Sequence, residues 1–260
     1  MKDVVIGIIG GTGGMGRWFA ELMRAEGYPV HCAGRRDGMR PEEMTRVCNV
    51  VVISVPIDVT CAVIAKVGPH MSRESLLMDL TSLKEEPVRA MLNASGCEVI
   101  GCHPLFGPAI TRLEGYNVVL CPARSKTWFP WLKDIFLRHR AAVTVASPEE
   151  HDRMMAVVQV LNHLHTIHLG MMIGQENRSI LPLQPWSTPV FEQKLEMIRK
   201  VFQDQPDMYA EIMVRNAQLE RICTLYRDTF ELLEKAVRTK DSSKIINIID
   251  HTKKKLWPKP

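Results

Sequence analysis

The sequence predicts an α/β fold: a Rossmann-type, doubly wound, mainly parallel sheet followed by an all-helical domain. Three observations predict it. Short apolar, β-branched runs alternate with helical stretches through about Ala146. A glycine cluster separates the first of those runs from the helix that follows it. Beyond Ser147 strand-like segments all but vanish. The expected division is therefore residues 1–147 for the sheet domain and 148–260 for the helical domain.

The first strand is read over Val4 to Ile9, β-branched except at Gly7, as suits a parallel strand buried on both faces. Met15 to Glu26 follows as a helix with Met15, Trp18, Phe19, Leu22 and Met23 at helical spacing, stopped by Gly27. Pro29 to Ala33 is the second strand, and Asn49 to Val55, closed by Pro56, a central one. Asp58 to Val67 predicts a helix, Leu76 to Leu80 a strand, Lys84 to Asn93 a helix, and Glu98 to Gly101 a strand leading into Cys102 and His103. Asn117 to Cys121 and Ala142 to Val145 add two strands, with Lys126 to Arg138 helical between them.

Ser147, Pro148, Glu149 and Glu150 form a helix start: a capping hydroxyl, proline at the first helical position, and acids that suit the helix dipole. Helices are expected over His151 to Ile173, Pro189 to Gln203, Pro206 to Thr239 and Ser242 to Lys255, with Ile180 to Thr188 as a proline-rich connection. Their methionine, leucine and isoleucine stripes exceed what a small helical domain can bury alone, which points to a second copy as partner, a homodimer.

Composition excludes several function classes. The 260 residues are 46% hydrophobic and 24% charged, ordinary for a globular protein. A formal charge of +4, with scattered basic residues apart from Lys253 to Lys255, implies no nucleic-acid partner. Seven cysteines without a C-x-x-C pair fit free thiols in a reducing cytoplasm. No apolar run reaches the length of a membrane span, and the first strand starts without a leader segment, so neither membrane nor export is expected. Among His163, His165 and His168 the last two lie one helical turn apart, but no cysteine or paired carboxylate joins them at ligand spacing, so no metal centre is expected.

Gly11, Gly13 and Gly16 fill a G-x-G-x-x-G spacing between strand and helix: one for the turn, one for close approach to a pyrophosphate, one for helix packing. The amides opening the helix then face phosphate. At the end of the second strand, where an acid would bind the 2′-hydroxyl of NAD, stand Gly34, Arg35 and Arg36, a set suited to the 2′-phosphate of NADP. NAD is the runner-up, with Asp37 as its acid if the strand runs longer. His103, in Cys102 to Pro108, is placed in a loop at a strand's carboxyl end, where open α/β sheets bind ligands and where imidazole can exchange a proton. Asp79 to Lys84 leaves a strand at the same edge; its Ser82 caps the next helix, faces a ligand, or does both.

Six segments together resemble the prephenate and arogenate dehydrogenase family. They are GGTGGMG from Gly10, VVISVP from Val51, DLTSLK from Asp79, HPLFGP from His103, EEHDRMMAVVQVLNH from Glu149, and FEQKLEMIRKVFQDQPDMYAEIM from Phe191. The resemblance implies oxidative decarboxylation of prephenate or arogenate with hydride transfer to NAD(P), in tyrosine biosynthesis. It implies His103 as the catalytic histidine that accepts the hydrogen bond of the ring hydroxyl, with Ser82 in support. The implied cofactor contacts are Gly11, Thr12, Gly13, Gly14, Met15 and Gly16, with Arg35, Arg36, Ser54 and Pro56. Gln159 and His163 are expected to line the dimer or substrate cleft. The family's carboxylate-binding arginine aligns with Lys200, yet its neighbour Arg199 is favoured here, because guanidinium suits bidentate recognition. His151 and Asp152 are expected to make a polar contact at the domain junction. Ala109 and Ile110 stand where the family usually carries an acid. The rival readings are a two-domain reductase for 3-hydroxyacids or imines, for which HPLFGP has no reason, and an NADP-sensing regulator without turnover.

Overall fold

The computed structural model describes residues 4–34, 38–177 and 179–258. In chain order the sheet half comprises β1 (Ile6–Ile9), α1 (Gly14–Ala25), β2 (Val30–Ala33), α2 (Pro41–Val47), β3 (Val50–Ile53), α3 (Ile57–Val67), β4 (Leu76–Asp79), α4 (Glu85–Ala94), β5 (Glu98–Pro104), β6 (Asn117–Arg124), α5 (Trp128–Arg138) and β7 (Ala142–Val145). The strands lie in the order β2-β1-β3-β4-β5-β6-β7. Every neighbouring pair is parallel except β5 with β6. The order reverses between β1 and β3, and a crevice opens there beyond the strands' carboxyl ends.

Alternation along the strands fills both faces. Ile6, Ile8, Val50 and Val52 pack with Trp18, Phe19 and Met23 of α1 and with Leu132, Ile135 and Phe136 of α5. Val51, Ile53 and Leu77 pack with Met44 of α2, Ile64 of α3 and Met91 of α4. Helix α2 was not expected from the sequence. It has only seven residues, too few to display a period, although Pro41 at its start and Glu42 and Glu43 in its first turn are start signals.

Strand β5 overturns one expectation. It runs on to Pro104 because antiparallel β6 extends the ladder, pairing His103 with Val119 and Pro104 with Val118. His103 is thus a buried strand residue rather than a loop residue.

The helical half comprises α6 (Pro148–Met155), α7 (Asn162–Asn177), α8 (Pro189–Arg199), α9 (Pro206–Val214), α10 (Leu219–Arg238) and α11 (Ser242–Leu256). Ser147 caps α6, its Oγ accepting from Glu150 N at 3.1 Å. Wide π-helical turns, common at functional sites, follow α6 at Ala156–Leu161 and α8 at Lys200–Asp204. The single helix expected over Pro206 to Thr239 is broken between α9 and α10. Buried Asn216 turns the chain there: its Nδ2 donates to Asp152 O at 3.0 Å and its Oδ1 accepts from Gln218 N at 2.9 Å. Among the described residues no helix is long and apolar enough to cross a membrane.

Candidate active site

The glycine turn leaves β1 at Gly10, whose φ of 86° is the left-handed conformation glycine tolerates. A Cβ on Gly16 would fall 2.3 Å from Gly10 O, so this glycine lets α1 sit against the turn. A Cβ on Gly13 would meet only Gly10 O, at 3.3 Å, and its Cα otherwise faces open space. Helix α1 begins at Gly14 without a side-chain cap and without an acid in its first turn. Free amides, the positive end of the dipole and an uncovered Gly13 fit a pyrophosphate. Arg35 and Arg36, and Asp37 beside them, lie outside the described residues.

The HPLFGP segment descends on this turn. A Cβ on Gly14 would fall 2.9 Å from Pro108 Cγ. Phe106 fixes the segment by packing edge-on to Trp18 and Tyr116, with ring centroids 5.0 and 5.4 Å apart. The glycine turn and the segment carrying His103 therefore touch.

His103 is 3% exposed and its Nδ1 lies 2.8 Å from His151 Nε2. His151 Nδ1 in turn lies 2.7 Å from Asp152 Oδ1. Asp152 caps α4 from the other half of the chain: Oδ1 accepts from Lys84 N at 2.8 Å and Oδ2 from Glu85 N at 2.9 Å. Ser82 does not cap that helix; it lines the cleft described below. Beneath His103, buried Lys84 pairs with Asp79 and donates to Cys102 O at 3.0 Å. Burial, together with the nearby His151 and Lys84, holds His103 well below the ordinary imidazole range. Burial also lowers His151, against the opposing pull of Asp152. These surroundings keep His103 neutral to lower pH than a free imidazole.

Two contiguous hollows form the cleft, sharing Met15, Leu80, Ser82, Asp204, Gln205 and Met208. One, about 500 Å³, is lined by Gly14, His103, Gln159, His163 and Lys200. The other, about 730 Å³, is lined by Ser54 and Pro56 after β3 and by Thr81 after β4. Both volumes suit small-molecule sites. Gln159 Oε1 is buried there without a partner among the described residues, and His163 packs edge-on to Tyr209 at 4.7 Å.

The favoured cation is displaced. Lys200 lines the cleft, while Arg199 faces a separate groove with Phe202 and Leu195. Its guanidinium is held by Glu196 at 2.8 Å and by Asp204 at 3.4 Å. Adjacent helix positions diverge by about 100°, so only one of the two enters the cleft. His165 and His168 both bond the hydroxyl of Tyr226, at 3.2 and 2.8 Å. Sequence reading missed the Lys84–Asp79 pair and the union of His151 with His103. The latter joins residues 48 apart in sequence, and only the packing of α6 against α4 and β6 brings them together.

Family models described as prephenate dehydrogenase, nucleotide-binding domain, and prephenate dehydrogenase, dimerization domain, match residues 33–145 and 147–251. A "Probable arogenate/prephenate dehydrogenase" of Methanocaldococcus jannaschii is 32% identical over 97% of this chain and 61% of its own length. A "T-protein" of Enterobacter agglomerans is 33% identical over 90% of this chain and 63% of its own length. The chain thus spans about three fifths of these curated relatives. Among solved structures, Synechocystis arogenate dehydrogenase superposes with a TM-score of 0.75 at 16% identity, covering 96% of this chain and 97% of the other. Prephenate dehydrogenase from A. aeolicus, in complex with hydroxyphenyl propionate and NAD+, gives 0.75 at 18% identity, covering 98% of each. The two family models, the relatives above 30% identity and the shared fold agree with the glycine turn and the HPLFGP segment meeting at one cleft: the chain belongs to the prephenate/arogenate dehydrogenase family.

Proposed function

We propose that this chain carries out the oxidative decarboxylation of prephenate or arogenate with a nicotinamide cofactor. The observation that carries the reading is the common cleft of Gly14, Met15, Ser82, His103 and Lys200. A nicotinamide bound over the glycine turn supplies the hydride acceptor. The chain's own residues do the rest. Neutral His103 accepts the hydrogen of the ring hydroxyl as that oxygen takes on carbonyl character, and returns it to the phenolic oxygen once the opposite ring carbon has lost carbon dioxide. Ser82 offers a hydroxyl beside that contact. Lys200 supplies the positive charge for the side-chain carboxylate, and Gln159 and His163 shape the wall opposite. The hydroxyphenyl ligand and NAD+ of the A. aeolicus structure are of the chemical classes this cleft is read to take.

The reading extends to the remaining assignments. Thr12, Gly11, Gly13 and Gly16 cradle the pyrophosphate, Ser54 and Pro56 border the cofactor, and Gly34, Arg35 and Arg36 select NADP over NAD. The division near Ser147 separates a dinucleotide-binding part from a helical part through which two copies pair; the dimerization-domain match supports that pairing.

Absorbance at the reduced-nicotinamide band, with prephenate and arogenate each crossed against NAD and NADP, tests the proposal. Turnover with at least one substrate, faster with NADP, is the expected result. No reduction in any of the four combinations would reject the enzyme in favour of a sensor.

A further inference from the structure

We infer that His151 and Asp152, contributed by the helical half, are positioning residues that fix which nitrogen of His103 carries its proton. This deepens the reading above and rests on it for its kinetic part, though the tautomer itself can be tested without it.

The inference follows from counting donors and acceptors along one buried chain. Both oxygens of Asp152 receive backbone N–H groups, from Lys84 and Glu85. A carboxylate so placed is an acceptor, so the nitrogen of His151 beside it, Nδ1 at 2.7 Å, carries a proton and donates. Neutral imidazole has one N–H. His151 Nε2 is then a lone pair, and His103 Nδ1, 2.8 Å away, donates to it. His103 Nε2 is left as a lone pair for the cleft that His103 lines. The reverse tautomer would set two N–H groups, or two lone pairs, against each other somewhere in a chain whose three residues are each 3% exposed or less. At buried sites an unmade bond of that kind costs about 1–3 kcal/mol. A hydroxyl donor on the substrate needs an acceptor, and this arrangement presents one.

Two further contacts hold the chain in place. Asn216 anchors the Asp152 carbonyl at 3.0 Å. Lys84 donates to the carbonyl of Cys102, next to His103, at 3.0 Å, and its charge disfavours a second proton on the imidazole. The groups facing His103 and His151 are thus Lys84 and Asp79 from the sheet side and Asp152 from α6. The helical half sets the protonation pattern of a histidine that belongs to the sheet half.

The test combines spectroscopy with two substitutions in the full-length protein. In histidine-labelled wild type, two-bond ¹H–¹⁵N correlation should show His103 protonated at Nδ1 and bare at Nε2. His151→Phe keeps the bulk and removes the acceptor. We expect kcat to fall at least tenfold with KM and cofactor Kd within twofold, and the His103 tautomer to become mixed. His151→Gln restores an oxygen for the His103 N–H and an amide N–H for Asp152, and should recover kcat to within about threefold of wild type. A merely structural role would change Tm and leave the tautomer and the kcat to KM split untouched. Wild-type His103 protonated at Nε2, or His151→Phe with unchanged kcat, would overturn the inference. If His151→Phe fails to fold, the wild-type spectrum decides alone. If wild type turns over neither substrate, the functional reading fails, and the same spectrum still judges the tautomer.

Discussion

The two halves of the chain bury their apolar side chains to very different extents. In the sheet half both faces are closed, with Phe19, Phe136, Met23 and Ile64 inaccessible to water. In the helical half, among the described residues, Ala156, Val160 and Ile222 form a small buried cluster, with Leu195, Ile198, Val201 and Ile212 buried outside it, while Trp186, Phe230, Leu232, Val237, Ile246 and Ile249 are exposed. Phe230, Leu233 and Val237 form one stripe on α10 at helical spacing. A parallel sheet with helices on both sides completes its own core; a thin layer of helices does not. The sheet half holds the glycine turn and His103, and the helical half adds Lys200, Gln159 and the His151–Asp152 pair. Neither half lines the cleft alone.

The largest expected effect breaks the site and spares the core. His103→Asn should lower kcat by about 10²–10⁴-fold, the range for loss of a general acid or base. Cofactor Kd, measured by fluorescence titration, should stay within about twofold. A variant with wild-type turnover would remove His103 from the chemistry.

Next comes a direct contrast between the halves. Phe136→Ala should cost about 3–5 kcal/mol in denaturant unfolding, as for other buried aromatics. Phe230→Asp should leave the stability of the sheet half alone and convert a dimer to a monomer in sedimentation. Equal sedimentation of Phe230→Asp and wild type would show that the stripe on α10 is not where copies meet.

Lys200→Ala should raise substrate KM about 10- to 100-fold, the equivalent of a lost charge-assisted bond of about 1.5–3 kcal/mol. Arg199→Ala, whose side chain is engaged by Glu196 and Asp204, should change KM less than threefold. The reverse ranking would restore the choice that guanidinium chemistry favours.

The smallest effect is in pH. His103 and His151 are both held below the ordinary imidazole range. As pH falls below about 6.5 the unfolded chain takes up protons that the folded chain refuses. Stability from these two groups is therefore complete above that pH and declines steadily below it. The acid limb of kcat/KM should likewise lie well below 6.5, since the proposed chemistry uses neutral His103. A limb centred at 6.5 would mean that the imidazole is more hydrated than its burial implies.

Much of this was legible in the sequence, and what escaped has physical reasons. The alternation of β-branched runs with amphipathic stretches located the strands, because a parallel strand buried on both faces has no polar phase. HPLFGP and the glycine turn were readable as a pair at one sheet edge. The local pattern places His103 in a loop because the ladder that carries β5 to Pro104 is contributed by β6, beyond any local pattern. Head-group chemistry favours Arg199 over Lys200, whereas the helix turns Lys200 into the cleft and Arg199 into a separate groove. The break at Asn216 and the capping of α4 by Asp152 are long-range bonds, invisible to periodicity.

The central claim is that the imidazole at the end of β5 and the glycine turn after β1 serve one crevice. The most direct test is a crystal structure of the protein with an oxidised nicotinamide dinucleotide and a 4-hydroxyphenyl ligand. The account predicts pyrophosphate at the start of α1, the nicotinamide ring facing the ligand, and His103 Nε2 within hydrogen-bond reach of the ligand hydroxyl. A dinucleotide bound elsewhere, or a ligand hydroxyl remote from His103, would contradict it.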